Sequence, residues 1–145
     1  MKQFQLKVKR LSDAATLPRY AHPDDAGLDL FAAREVTIEP GQSQIVPTGL
    51  AIELPPGTEA QVRPRSGLAS KHQVTVLNAP GTIDQGFRGE LGVILINHGR
   101  SAYRVQQGDR VGQLVVQEKL TVEVVEVEAL SESRRGSRGF GSTGE

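Results

Sequence analysis

"EPGQSQIVPTGLAIELPPGTEAQVR", residues 39–63, sets short aliphatic runs between Pro-Gly corners, Pro40-Gly41 before one run and Pro55-Pro56-Gly57 before the next. Val, Ile, Leu and Thr cluster between corners at intervals of about ten residues, the pattern of strands in an all-β domain. Proline presets one corner position and glycine frees the next. The same rhythm runs outward in both directions. It predicts strands over residues 4–9, 28–33, 35–39, 43–54, 58–63, 73–77, 90–97, 101–105, 110–117 and 121–128. Turns fall at 39–42, 54–57, 97–100 and 106–109. "SGLASKH", residues 66–72, reads as a short helix with Ser66 as its N-cap. The expected fold is a β-sandwich or jelly roll.

Two strands exceed what one sandwich can hide. Val93-Ile94-Leu95-Ile96 is apolar on both faces, which implies burial on both sides and suits a subunit interface. In "TVEVVEVE" the alternation slips phase at Val124-Val125, as at a bulge or in a strand that leaves one sheet for another surface. Both features favour an oligomer. Aromatics make up 4% of the chain and there is no Trp, so the core must be aliphatic.

The 145 residues suit a single domain, read as a folded body over 1–133 and a flexible arm over 134–145. Lys plus Arg and Asp plus Glu both number 17, so no global field recruits nucleic acid or an anionic membrane. Without cysteine there is no disulfide, thiolate nucleophile or Cys-ligated zinc. "MKQFQLKVKR" lacks the apolar centre of a signal peptide and no stretch approaches spanning length, so a cytoplasmic protein is expected. The arm, "RRGSRGFGSTGE", has little to bury against the entropy of ordering, yet it carries Phe140 among glycines with arginines just before. A solvated tail needs no such ring.

Candidate chemistry sits in four further segments. In "LNAPGTIDQGFRGE", residues 77–90, Asp84 follows the strand-like Thr82-Ile83 and could orient a water or simply cap a turn. Asn78 offers a donor and an acceptor on one amide, suited to the imide edge of a base. In "RPRSGLA", residues 63–69, Arg65, Ser66 and Gly67 open the helix and offer a guanidinium fork, a hydroxyl and free N–H groups to phosphate, or else a plain N-cap beside a surface Arg. "GDRVGQL", residues 108–114, places Asp109, Arg110 and Gln113 at a turn into a strand, where a salt-bridged turn is the plainer reading. "DDAGLDL", residues 24–30, sets Asp29 between two leucines, where an inward carboxylate needs a partner. His22, His72 and His98 show no metal spacing and read as surface residues. There is neither a G-x-S-x-G elbow nor a G-x-x-x-x-G-K loop.

In order, "DAGLDL", "RPRSGLA", "GTIDQGFRGE", "GDRVGQL" and "RGSRGFGSTG" resemble the five motifs of the homotrimeric deoxyuridine triphosphatases, the dUTPases, from about residue 24 to the chain end. The resemblance implies a jelly-roll or distorted β-barrel trimer that hydrolyses dUTP to dUMP and pyrophosphate with Mg²⁺, cleansing the nucleotide pool and supplying dUMP for thymidylate synthesis. By the same resemblance Asp84 is the general base that orients water toward the α-phosphorus. Asn78, the backbone of Gly81, Thr82, Ile83 and Asp84, and the facing Gly92 read uracil. Arg65, Ser66, Gly67 and Gln113 hold phosphates. Asp29 and Arg110 support them, Asp29 through metal-bound water. Phe140 stacks on the base while Arg135, Gly141, Ser142 and Thr143 close over the phosphates. Phe87 stands where the family usually has tyrosine, the ring that lies against deoxyribose and crowds out a 2′-hydroxyl. The ring is kept and the phenol is lost. Two other readings share the fold class or the ligand: a dCTP deaminase, whose extra general-acid machinery is missing here, and a trimer that senses dUTP without turning it over.

Overall fold

The computed structural model describes residues 3–144. In chain order the elements are β1 (Lys7–Arg10), β2 (Leu28–Phe31), β3 (Val36–Ile38), β4 (Ser43–Pro47), β5 (Leu50–Glu53), β6 (Thr58–Arg63), α1 (Ser66–His72), β7 (Val74–Val76), β8 (Gly81–Ile83), β9 (Gly92–Asn97), β10 (Tyr103–Val105) and β11 (Arg110–Glu118). Among the described residues the strands pair antiparallel, in sheets ordered β2-β11-β6-β8 and β4-β9-β7 with two-stranded pieces β1-β5 and β10-β3. No helix among these residues is long and apolar enough to cross a membrane.

The two larger sheets feed one core. Leu30, Ala60, Val62 and Leu114 come from the first sheet, and Val46, Val74, Val76, Val93 and Leu95 from the second. These are aliphatic side chains at alternating positions, as along β6, where residues 58, 60 and 62 are buried and their neighbours are not. Asn97 is a polar exception, fully buried. Its Nδ2 donates to the carbonyls of Ile38 and Ser101 at 2.9 Å each, and its Oδ1 accepts from Gly99 N–H. The satisfied amide ties the end of β9 to β3 and to the loop before β10.

Four expectations need correction. The run at 43–54 is two strands in different sheets, broken at Thr48-Gly49. Gly49 has φ +69°, which residues with a Cβ rarely adopt, and a Cβ there would meet Ser12 Oγ at 2.9 Å. The buried Thr48 hydroxyl donates to the Leu91 carbonyl at 2.7 Å, and Gly49 N–H donates to Glu90 Oε2 at 3.2 Å, fixing the corner from a distant loop. Second, residues 121–128 form no strand: the segment runs exposed beyond β11 without a ladder partner. Third, Val93 and Leu95 are buried, but Ile94 and Ile96 on the opposite face of β9 are only half-buried, so the chain alone covers one face. Fourth, Arg65 occupies the N-cap with extended backbone, no side chain caps the helix, and Ser66 is its first residue. The remaining strand boundaries agree to within three residues, except that β8 is a strand in its own right.

Candidate active site

The β2-β11-β6 sheet gathers three of the motifs. Gln113 of β11 lies in register with Asp29 on one side and Arg63 on the other. Arg110 Nε donates to Asp29 Oδ2 at 2.9 Å, giving the largely buried carboxylate the partner it needs. Arg65 Nη1 donates to the Arg110 carbonyl at 3.3 Å, and Gln113 Nε2 donates to the Pro64 carbonyl at 2.9 Å. The start of α1, with Ser66 and Gly67, is therefore strapped to β11. Asp109 does not pair with Arg110. Its Oδ2 accepts from Gln106 N–H at 2.8 Å and closes the turn before β11.

Three neighbours of this cluster were not among the expected site residues. Gly27 makes room for Gln113, whose Oε1 would overlap any Cβ placed there. Arg19 lays its guanidinium 4.7 Å from the centre of the buried Phe31 ring, and Arg110 does so at 5.5 Å, so two cations share one ring. Tyr103 packs its ring 4.8 Å from His72 at the end of α1. Burial pushes the Tyr103 phenol up, Asp109 adds to the rise and Arg65 opposes it. Gly27 lies within the "DAGLDL" motif and so had a sequence signal. Arg19 and Tyr103 had none, since their positions depend on pairing with distant segments.

A second cluster forms around β8. Gly81, Thr82 and Ile83 pair with Val62, Gln61 and Ala60. Asn78 precedes β8, with its amide so near Gly81 that a Cβ there would lie 3.2 Å from Nδ2. Leu77 N–H donates to the Ile94 carbonyl, so the chain leaves β9 near its Gly92–Val93 end. Asp84 follows β8 on the surface, and among the described residues no side chain engages its carboxylate. Its carbonyl accepts from Phe87 N–H at 3.1 Å in a tight turn. Arg88 braces that turn by donating to the carbonyls of Gln85 and Phe87 and to Glu53 Oε1.

The arm joins neither cluster. Arg135 and Arg138 donate to carbonyls within the arm itself, and Phe140 is fully exposed. A groove of about 670 Å³ between Phe4, Tyr20, Leu28 and Val116 contains none of the expected site residues.

The family model described as dUTPase matches residues 13–144. The chain belongs to the dUTPase family. It is 61% identical over 141 residues to a deoxyuridine 5'-triphosphate nucleotidohydrolase of Gloeothece citriformis, covering 97% of each chain. Among solved structures it is similar to the dUTPase of Staphylococcus bacteriophage 80alpha with dUPNHPP, at 32% identity and a TM-score of 0.92, covering 99% of this chain and 100% of that one. It is also similar to a mutant dUTPase of phage phi11 of S. aureus, described with a structural Mg(II) ion, at 28% identity and a TM-score of 0.82, over 87% of this chain and 98% of that one. These dUTPase neighbours share the jelly-roll fold, so the two sheets around one aliphatic core are the family's architecture.

Proposed function

We propose that this protein hydrolyses dUTP to dUMP and pyrophosphate at sites completed by several copies of the chain, three to a molecule. One observation carries the assembly: Ile83 pairs with Ala60, whereas Arg65 leaves the far end of the same strand, β6. Asp84 lies one residue further from that end, so at ~3.3 Å per extended residue the base and the phosphate turn of one chain stand roughly 20 Å apart. A separation of that size within one chain favours a site shared between copies. Asp84 of one copy and Arg65 of another supply what neither chain holds alone. The exposed arm, with its base-stacking ring, reaches over a site from outside, and the half-buried Ile94 face of β9 gives the copies an apolar contact.

In this reading Asn78 and the β8 backbone present donors and acceptors to uracil and misplace them for cytosine. Phe87 lies against the sugar. Arg65, Gln113 and the first N–H groups of α1 hold the phosphates, with Arg110 fixed by Asp29 behind them. Asp84 takes a proton from a water, whose oxygen attacks the α-phosphorus. The bond from that phosphorus to the bridging oxygen breaks and pyrophosphate leaves. Among the described residues no group of three His, Cys, Asp or Glu is arranged to hold a metal, and Asp29 already pairs with Arg110. This donor set fits Mg²⁺ carried by the triphosphate, with Asp29 reaching it through water. Bound there, Mg²⁺ neutralises phosphate charge. Phe140 and the residues around it, Arg135, Gly141, Ser142 and Thr143, close the site. We place the enzyme in the cytoplasm, with the nucleotide pool.

The test is release of pyrophosphate from dUTP, dCTP and UTP with Mg²⁺. Rapid release from dUTP alone supports the proposal. Ammonia from dCTP would mark a deaminase, and tight dUTP binding without turnover would mark a sensing module; either overturns it.

A further inference from the structure

Gly89 lies two residues beyond Phe87 and is not among the glycines with positive φ, so its backbone does not require glycine. What requires it is space. A Cβ on Gly89 would stand 2.9 Å from Cζ of Phe87 and 3.1 Å from Cε2, closer than carbon atoms pack. At Gly86, in the same loop, a Cβ would meet nothing within 4 Å. The Phe87 backbone is held on both sides, its N–H by the Asp84 carbonyl and its own carbonyl by Arg88 Nη1. The ring has no hydroxyl with which to anchor itself, and it is 42% exposed. Its seat is the bare Cα of residue 89.

We propose that Gly89 is the positioning residue for the Phe87 ring and thereby sets selection of deoxyribose over ribose. The inference rests on the proposed role of Phe87 against the sugar. A methyl group at position 89 pushes the free end of a half-exposed side chain, the part of the loop that yields most easily, while the braced backbone stays in place. The ring then no longer occupies the space of a 2′-hydroxyl, and displacements of this size matter to a fitted site.

The experiment compares wild type, Phe87→Ala, Gly89→Ala and the double variant. Each is measured for kcat/KM with dUTP and with UTP, and checked by thermal melting. We expect Gly89→Ala to melt like wild type and to lower the dUTP-to-UTP ratio by about tenfold or more. In the Phe87→Ala background the same change should lower it no further, the non-additivity of residues acting through one contact. A wild-type ratio in Gly89→Ala beside a collapsed ratio in Phe87→Ala overturns the role of Gly89 and leaves that of Phe87 standing. A wild-type ratio in Phe87→Ala overturns the sugar reading itself. An equal further loss in the double variant, or a Gly89→Ala protein that does not fold, shows that Gly89 serves the backbone and not the ring.

Discussion

Asp84 follows β8 with its carboxylate free and its backbone clamped, a state suited to the water-activating role proposed for it. Asp84→Asn keeps the size and the turn but removes the basic oxygen. Turnover of dUTP should fall ~10²–10⁴-fold, the usual worth of a general base, while dUTP binding by calorimetry stays near wild type. Turnover within a few-fold of wild type would return Asp84 to the role of a turn residue. At this scale much was legible in the sequence, because each motif carries its chemistry within a few residues. The pairing of Asp29 needed only its place between two leucines to be foreseen, although its partner Arg110 lies 81 positions away. The capping role of Ser66 was misjudged, since serine suits both the cap and the first turn and the extended Arg65 took the cap.

Among the elements, β9 separates packing from the proposed assembly. Leu95 is fully buried against the core, whereas Ile94 pairs with the exposed Ile45 across β4 and looks outward. Leu95→Asp buries an unpaired carboxylate at a cost of several kcal/mol and should abolish soluble protein. Ile94→Asp should leave a folded chain with native circular dichroism but a monomer's mass by light scattering. Trimers from Ile94→Asp would mean that this face is not the contact. The β1-β5 pair gives a pH test. Glu53 is held below its usual carboxylate range by hydrogen bonding to Lys7 first, then by the charges of Lys7 and Arg88. A carboxyl depressed in the folded state stabilises at neutral pH, and that contribution fades as pH falls through the lowered value. Glu53→Gln should therefore flatten the acid side of the melting-temperature profile slightly, a small effect because the group is exposed. An unchanged profile would show the ion pairs to be idle. Periodicity made most strands readable, β6 and α1 to the residue. It failed at 43–54 because the corner at Gly49 is fixed by Leu91 and Glu90 from about forty positions away. It failed at β8 because Gly81-Thr82-Ile83 starts on a glycine and carries a single large apolar side chain, although Thr82-Ile83 did read as strand-like.

For the whole molecule, the decisive segment lies beyond β11. Leu120, Val124 and Leu130 are each more than four-fifths exposed, an unusual length of apolar chain for a lone protein to offer water. The sequence marked 121–128 as strand-like because its alternation is real, but alternation names a face and not a partner, and the described residues hold no partner strand for it. Deleting residues 134–145 should barely change the melting temperature without nucleotide, because Phe140 buries nothing here. In the proposed closed site it would also remove the Phe140 stack and charge-assisted hydrogen bonds, the latter worth roughly 1.5–3 kcal/mol each. Partial use of these in the transition state implies a rate loss of about 10² or more. In the proposed trimer, base and arm come to one site from different copies. The most direct measurement mixes the arm-less protein with full-length Asp84→Ala by co-refolding, verifies mixed trimers by native mass spectrometry, and follows pyrophosphate release from dUTP. Two nearly inactive parents should yield mixtures with a substantial fraction of wild-type turnover, from sites that combine one chain's Asp84 with another's arm. Mixed trimers no more active than their parents would contradict this arrangement, and would assign the arm to its own chain's Asp84.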